Sequence, residues 1–171
     1  MKKNAYTLIE LIVVIGIVVV LVGAGMAVFY QSLQSGSRVD FELFMNTSSR
    51  VIESSMTDVI SFARVVNVDG QGQDACLAAG DSGVSGDNLT IDVAGRLTQY
   101  SLSGDYITSD SAQISPSGIQ VSVLSFNWVC LFGEREKVMV DFTAQAEKDG
   151  EAVAIEKAYS FEVFLKNSGY F

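Results

Sequence analysis

The chain has 171 residues, 49% of them hydrophobic, and a formal net charge of −9 from twenty acidic and eleven basic side chains. That length holds one globular domain with an appendage and excludes two large domains. The bases are scattered, which excludes the clustered Lys and Arg of a nucleic-acid surface; with no histidine and only two cysteines, a standard structural zinc site cannot be assembled.

The hydrophobic residues are unevenly spread. Lys2 and Lys3 precede an apolar block, and from Leu11 to Phe29 nineteen consecutive residues carry no charge or strongly polar side chain. At 1.5 Å per residue that run crosses most of a bilayer, so it reads as a membrane-spanning helix. The leading lysines place its N-terminus in the cytoplasm and export the remainder, which makes the chain a single-pass protein of the cytoplasmic membrane. Gly16, Gly23 and Gly25 weaken a helix in water but suit close packing of membrane helices. The block exceeds the apolar core of most secretory signals, although Gly23 and Gly25 imitate a small-x-small cleavage site. Glu10 puts a carboxylate at its entrance, where insertion costs about 2.5 to 3.5 kcal/mol, so the side chain needs a partner or a use; the bland alternative is that it snorkels to the headgroups.

Beyond Tyr30 the pattern becomes a helical stripe of Leu43, Phe44, Val51, Ile52, Met56, Val59, Ile60 and Ala63 at three- and four-residue steps. The only proline is Pro116, so nothing obliges the two segments to be separate helices. One helix from Tyr6 to about Arg64 would run roughly 85 to 90 Å, with Ser35, Gly36 and Ser37 its weakest point. Asn67 to Asn88, rich in Gly, Asp, Gln and Ser, reads as a long loop. Short β-patterned runs follow at Leu89–Val93, Leu97–Leu102, Ile119–Leu131, Lys137–Ala146 and Val153–Leu165. Turns are expected at Ala94-Gly95-Arg96, Pro116-Ser117-Gly118 and Lys148-Asp149-Gly150. Ile119, Val121 and Val123 alternate with polar residues, as do Val138, Val140 and Phe142, the mark of a sheet with one buried face. The stripe from Leu43 to Ala63 is the segment long enough to cover it. The expected fold is therefore α+β: a long N-terminal helix, membrane-spanning in its first half and amphipathic in its second, packed on an antiparallel sheet of four or five strands. The expected divisions are 1–5, 6–30, 31–66 and 67–171.

Cys76 and Cys130 are 54 positions apart. In an exported domain a disulfide is the better reading and would stabilise by about 4 kcal/mol on the chain-entropy model; two buried thiols are the alternative. Other motifs carry less. Gly80-Asp81-Ser82-Gly83 imitates a serine-protease nucleophile but has no histidine to serve it. Asp81, Asp87 and Asp92 offer carboxylates in the loop, yet their spacing fits no EF-hand. Gly70-Gln71-Gly72 lacks the third glycine and the flanking elements of a dinucleotide site. Asn46-Thr47-Ser48 and Asn88-Leu89-Thr90 match the glycosylation sequon, a common chance pattern. Phe126, Trp128 and Phe132 flank Cys130 and read as core packing. No metal, cofactor or catalytic residue is expected, and the chain does not read as an enzyme.

The segment Ala5-Tyr6-Thr7-Leu8-Ile9-Glu10-Leu11, behind its two-lysine leader, resembles the N-terminal signature of type IV prepilins and type II secretion pseudopilins. The resemblance implies cleavage between Ala5 and Tyr6 by a prepilin peptidase and methylation of the new N-terminus at Tyr6. The family usually has Gly before the cut and Phe after it, so Ala5 and Tyr6 are chemically mild departures. Thr7, Leu8, Ile9, Glu10 and Leu11 match the usual run, and Glu10 takes its acidic position. Family resemblance makes Glu10 the partner of a neighbouring subunit's N-terminal amine, setting the stagger of subunits that leave the lipid bilayer through an inner-membrane assembly platform. Major pilins often have a proline in the membrane helix; its absence from Tyr6 to Ser115 points to a minor pilin or pseudopilin. The run Tyr159 to Asn167 also looks like the last strand of many minor pilins. The rival expectation, from a different class, is a single-pass anchored binding module that does not polymerise.

Overall fold

The computed structural model describes residues 7–131, 133–148 and 151–166, with side chains at these positions except 33–38, 147–148 and 151–155. One helix, α1, runs Leu8–Ile60, and the chain divides into two compact units between Leu43 and Phe44.

In the first unit, Leu8–Ser32 is a 25-residue stretch of mean hydropathy 3.0, none of it buried. Valines, leucines and isoleucines point outward on every side, as at Val20 (70% exposed) and Leu21 (65%). A helix that is apolar all round needs an apolar medium or other helices against it. At 1.5 Å per residue the stretch is about 37 Å long, enough to span a bilayer's hydrocarbon core of about 30 Å.

The second unit begins with the last turns of α1. Met45, Ser48, Ser49, Ile52, Met56 and Ile60 are buried at three- and four-residue steps, and Ala63 follows them inward. Of the two buried serines, Ser49 donates its Oγ hydrogen to the Asn46 carbonyl at 3.0 Å. The predicted stripe thus holds at Ile52, Met56, Ile60 and Ala63 but not at Leu43, Phe44 and Val51, which are 40 to 59% exposed. The buried face of this part of α1 therefore runs through Met45, Ser48, Ser49 and Ile52 and not through Leu43, Phe44 and Val51. The helix ends in tightened turns, with Ala63 N donating to Ile60 O at 3.1 Å.

Among the described residues nine antiparallel strands follow: β1 Arg64–Val68, β2 Val84–Gly86, β3 Leu89–Val93, β4 Arg96–Ser103, β5 Tyr106–Ser109, β6 Ala112–Gln113, β7 Ile119–Val129, β8 Lys137–Lys148 and β9 Glu151–Phe164. The α+β class is as expected, but the strands form two sheets, β1-β3-β4-β5-β6 and β2-β7-β8-β9. The stretch expected to be a loop makes the difference. Between β1 and β3 it forms a short helix, α2 (Gln73–Ala79), and a 3-10 turn at Gly80–Ser82. It then places β2 against β7, Val84 facing Trp128, before returning to pair β3 with β1.

The β3–β4 hairpin turns at Ala94 (φ 54°) and Gly95 (φ 86°). Both central residues lie at positive φ, as the tight primed hairpin requires, and Asp92 Oδ1 accepts from Gly95 N at 2.7 Å. Val138, Val140 and Phe142 are buried as the alternation predicted. On β7 the phase breaks: Ile119 and Val121 are 1% exposed, but Val123 is 53% exposed. A β-bulge between Val121 and Val123 inserts one residue, so Leu124, Phe126 and Trp128 take over the inward face. The core lies between the buried face of α1 and the strands, with Trp128, Phe126 and Phe142 its largest members.

Candidate functional site

Ala5 and Tyr6 lie outside the described residues. Thr7 caps α1. Thr7 N donates to Glu10 Oε2 at 2.9 Å, Thr7 Oγ1 donates to the same oxygen at 3.0 Å, and Glu10 N returns a bond to Thr7 Oγ1 at 3.4 Å. This is a capping box, in which a Thr and the Glu three residues later satisfy each other's backbone N–H groups at the start of a helix. The Thr-x-x-Glu spacing before an apolar run is visible in the sequence and gives Glu10 a local partner. Both side-chain bonds use Oε2; among the described residues Oε1 accepts none, which leaves half of the carboxylate available to a cation from outside.

The second unit carries its own cross-link. Cys76, in the middle of α2, and Cys130, at the end of β7, form a buried disulfide with Cα atoms 5.6 Å apart. A seven-residue helix is too short to persist alone, so this bond is what holds α2 to the sheet. Next to it Trp128 Nε1 donates to Glu136 Oε2 at 3.2 Å, and Glu136 is 8% exposed. Burial pushes the Glu136 carboxyl above its ordinary range, while the Trp128 bond and the Arg64 charge pull the other way. Nothing in the sequence singles out Glu136 among Glu134, Arg135 and Lys137.

Asp69 is the other residue that sequence reasoning passes over. It sits at φ 47° after β1, and its carboxylate accepts from Asn88 Nδ2 and from Asp87 N, each at 2.7 Å. The Asn88 bond first, and the Asp87 bond second, hold its carboxyl below the usual range. Gly86 lies so close that a Cβ there would run into this carboxylate. Asp69 therefore fixes the β2–β3 turn, and the Asp-Gly pair at 69–70 is the only local sign of it.

The remaining motif residues stay apart. Asp92 is engaged in the β3–β4 hairpin, and among the described residues no three His, Cys, Asp or Glu side chains are placed to share a metal ion. Ser82 contributes its carbonyl to Asn127 Nδ2 at 3.1 Å. The two sequon asparagines are engaged, Asn46 accepting from Lys157 Nζ at 2.8 Å and Asn88 on Asp69. Trp128 and Phe126 are core, as expected; Phe132 lies outside the described residues.

No protein-family model, curated protein or solved structure matches the chain.

Proposed function

We propose that this chain is a structural subunit, a minor pilin or pseudopilin, of a type IV pilus-like filament. The observation that carries the reading is the fully exposed 25-residue apolar segment with a carboxylate held at its entrance. So much outward apolar surface requires lipid or other apolar helices around it, and a charge there is tolerated only with a purpose. The capping box supplies part of that purpose and leaves Oε1 for a cation.

In this reading the chain enters the inner membrane with its N-terminus in the cytoplasm, and prepilin peptidase cuts between Ala5 and Tyr6. Tyr6 is then methylated, and its amine meets Glu10 of a neighbouring subunit. An ion pair in a dry helix bundle selects register, since a one-turn slip leaves a buried charge unpaired. The exported unit, braced by the disulfide, is displayed along or at the tip of the filament, and the chain performs no catalysis of its own. Cleavage removes Lys2 and Lys3, leaving nine bases (11 minus 2) against twenty acids.

The test is intact and N-terminal peptide mass spectrometry on protein from native membranes and from sheared surface fractions. A chain starting at methylated Tyr6 is the expected result. A chain that keeps Met1 to Ala5, or one cut near Gly25, rejects it and leaves the anchored binding module.

A further inference from the structure

The sharpest departure from the sequence pattern is Val123, a β-branched apolar residue turned outward by the bulge on β7. It faces a cleft of about 520 Å³ where the two sheets meet, lined by Asp87, Asn88, Leu102, Ser122, Val123 and Leu124. Bulges re-aim side chains and recur beside functional surfaces. This bulge carries the next residue, Leu124, inward to 3% exposure and leaves Val123 outward, 53% exposed, over the cleft.

The cleft is built rather than loose. Its floor is Leu102 on β4 with Val123 and Leu124 on β7, and Val121 N bonds Asp105 O at 2.8 Å across the same junction. One wall is the turn that Asp69 fixes by accepting from Asp87 N and Asn88 Nδ2. The Asp87 carboxylate is consequently presented at the rim on a rigid support, exposed and without a hydrogen bond or ion pair among the described residues. Charge decides the occupant. Residues 65–124 contain seven aspartates and a single base, Arg96, which is already within 3.9 Å of Asp110. An anion is disfavoured at such a surface, and a cation is drawn to it.

We propose that this inter-sheet cleft docks a short basic segment of another protein, an aliphatic side chain seated on Leu102 and Val123 and an adjacent Lys or Arg meeting Asp87. The inference is independent of the filament reading, because it uses only the second unit. Apolar anchoring with a charged rim is the usual division of labour in a small docking surface.

The experiment uses the full chain in detergent micelles and a dye-labelled pentapeptide, Gly-Leu-Lys-Leu-Gly, titrated by fluorescence anisotropy against empty micelles. Saturable binding below about 1 mM is expected. Asp87→Lys is expected to weaken it about tenfold and Val123→Ser about fivefold; both positions are exposed, so the fold should stand, as Trp128 fluorescence will verify. Asp81→Lys, in the same acidic stretch but outside the cleft, should change it less than about twofold. Equal loss with Asp81→Lys, equal binding of Gly-Leu-Glu-Leu-Gly, or no saturable binding up to about 5 mM each overturns the proposal.

Discussion

Replacing Cys76 and Cys130 together by alanine removes the bond that closes a 54-residue separation. The chain-entropy model assigns that closure about 4 kcal/mol at 25 °C, and two sulfur-sized voids at positions 0% and 2% exposed add about 1 kcal/mol. Trp128 is the only tryptophan and is 1% exposed, so its fluorescence reports unfolding of the second unit without interference from the apolar segment. With a urea dependence of about 2 kcal/mol per molar, the midpoint should fall by about 2.5 M. Reducing the wild-type protein should reproduce the closure part, a fall of about 2 M. A shift below about 0.5 M in both experiments would show that α2 is held by its other contacts, and the account of the disulfide would fail.

Other expectations follow from burial, charge and capping. Ile52→Ala, at a fully buried position, should destabilise by about 2 to 5 kcal/mol, whereas Val51→Ala, 50% exposed, should change stability by less than about 0.5 kcal/mol; urea midpoints that rank the two the other way would refute the observed phase of α1. Glu136→Gln tests the buried carboxyl. Because burial raises its native pKa above the unfolded value, the native state binds the extra proton, and the associated stability is present below the unfolded pKa and lost as pH rises through the native one. Gln keeps an acceptor for Trp128 without the charge, so the variant should gain on wild type as pH rises above the ordinary glutamate range, and parallel pH profiles would exclude the mechanism. Glu10→Gln separates two roles, since Gln can complete a capping box but cannot pair with an amine. On the proposed filament function, sheared surface fractions should then lack the chain while membranes retain it; undiminished recovery in the sheared fraction would reduce Glu10 to a helix cap.

Much of the architecture could be read from residue order, and the misreadings have distinct physical sources. The β3 run was expected at Leu89–Val93 and forms there, and the buried alternation of β8 is as predicted, because both strands bury one face without interruption. The pattern fails at Val123 because a bulge resets a period of two and carries no residue signature here. β2 and β6 are too short to show any period, and β1 hides behind the end of the helical stripe. α2 spans less than two full turns, so its Ala-Cys-Leu-Ala-Ala run makes no stripe; it is held in place by a covalent bond from a distant strand. At the candidate sites Glu10 was legible as a carboxylate in need of a partner, whereas its capping box with Thr7 came from the structure. The roles of Asp69 and Glu136 were not, since they depend on turns and burial contributed by residues far along the chain.

The route of the chain from one sheet to the other and back has a consequence for how the second unit is made. Most strand pairs join neighbours in sequence and can form early, but β2 must wait for β7, whose Trp128 lies 44 positions beyond Val84 (128 minus 84). Contacts between residues so far apart close slowly, so this pairing is expected among the later ones. With only two cysteines in the chain, oxidation within one molecule has a single possible product. The last seam can therefore be locked without the isomerase proofreading that richer disulfide frameworks demand, and a chain delivered reduced has one covalent step left to complete.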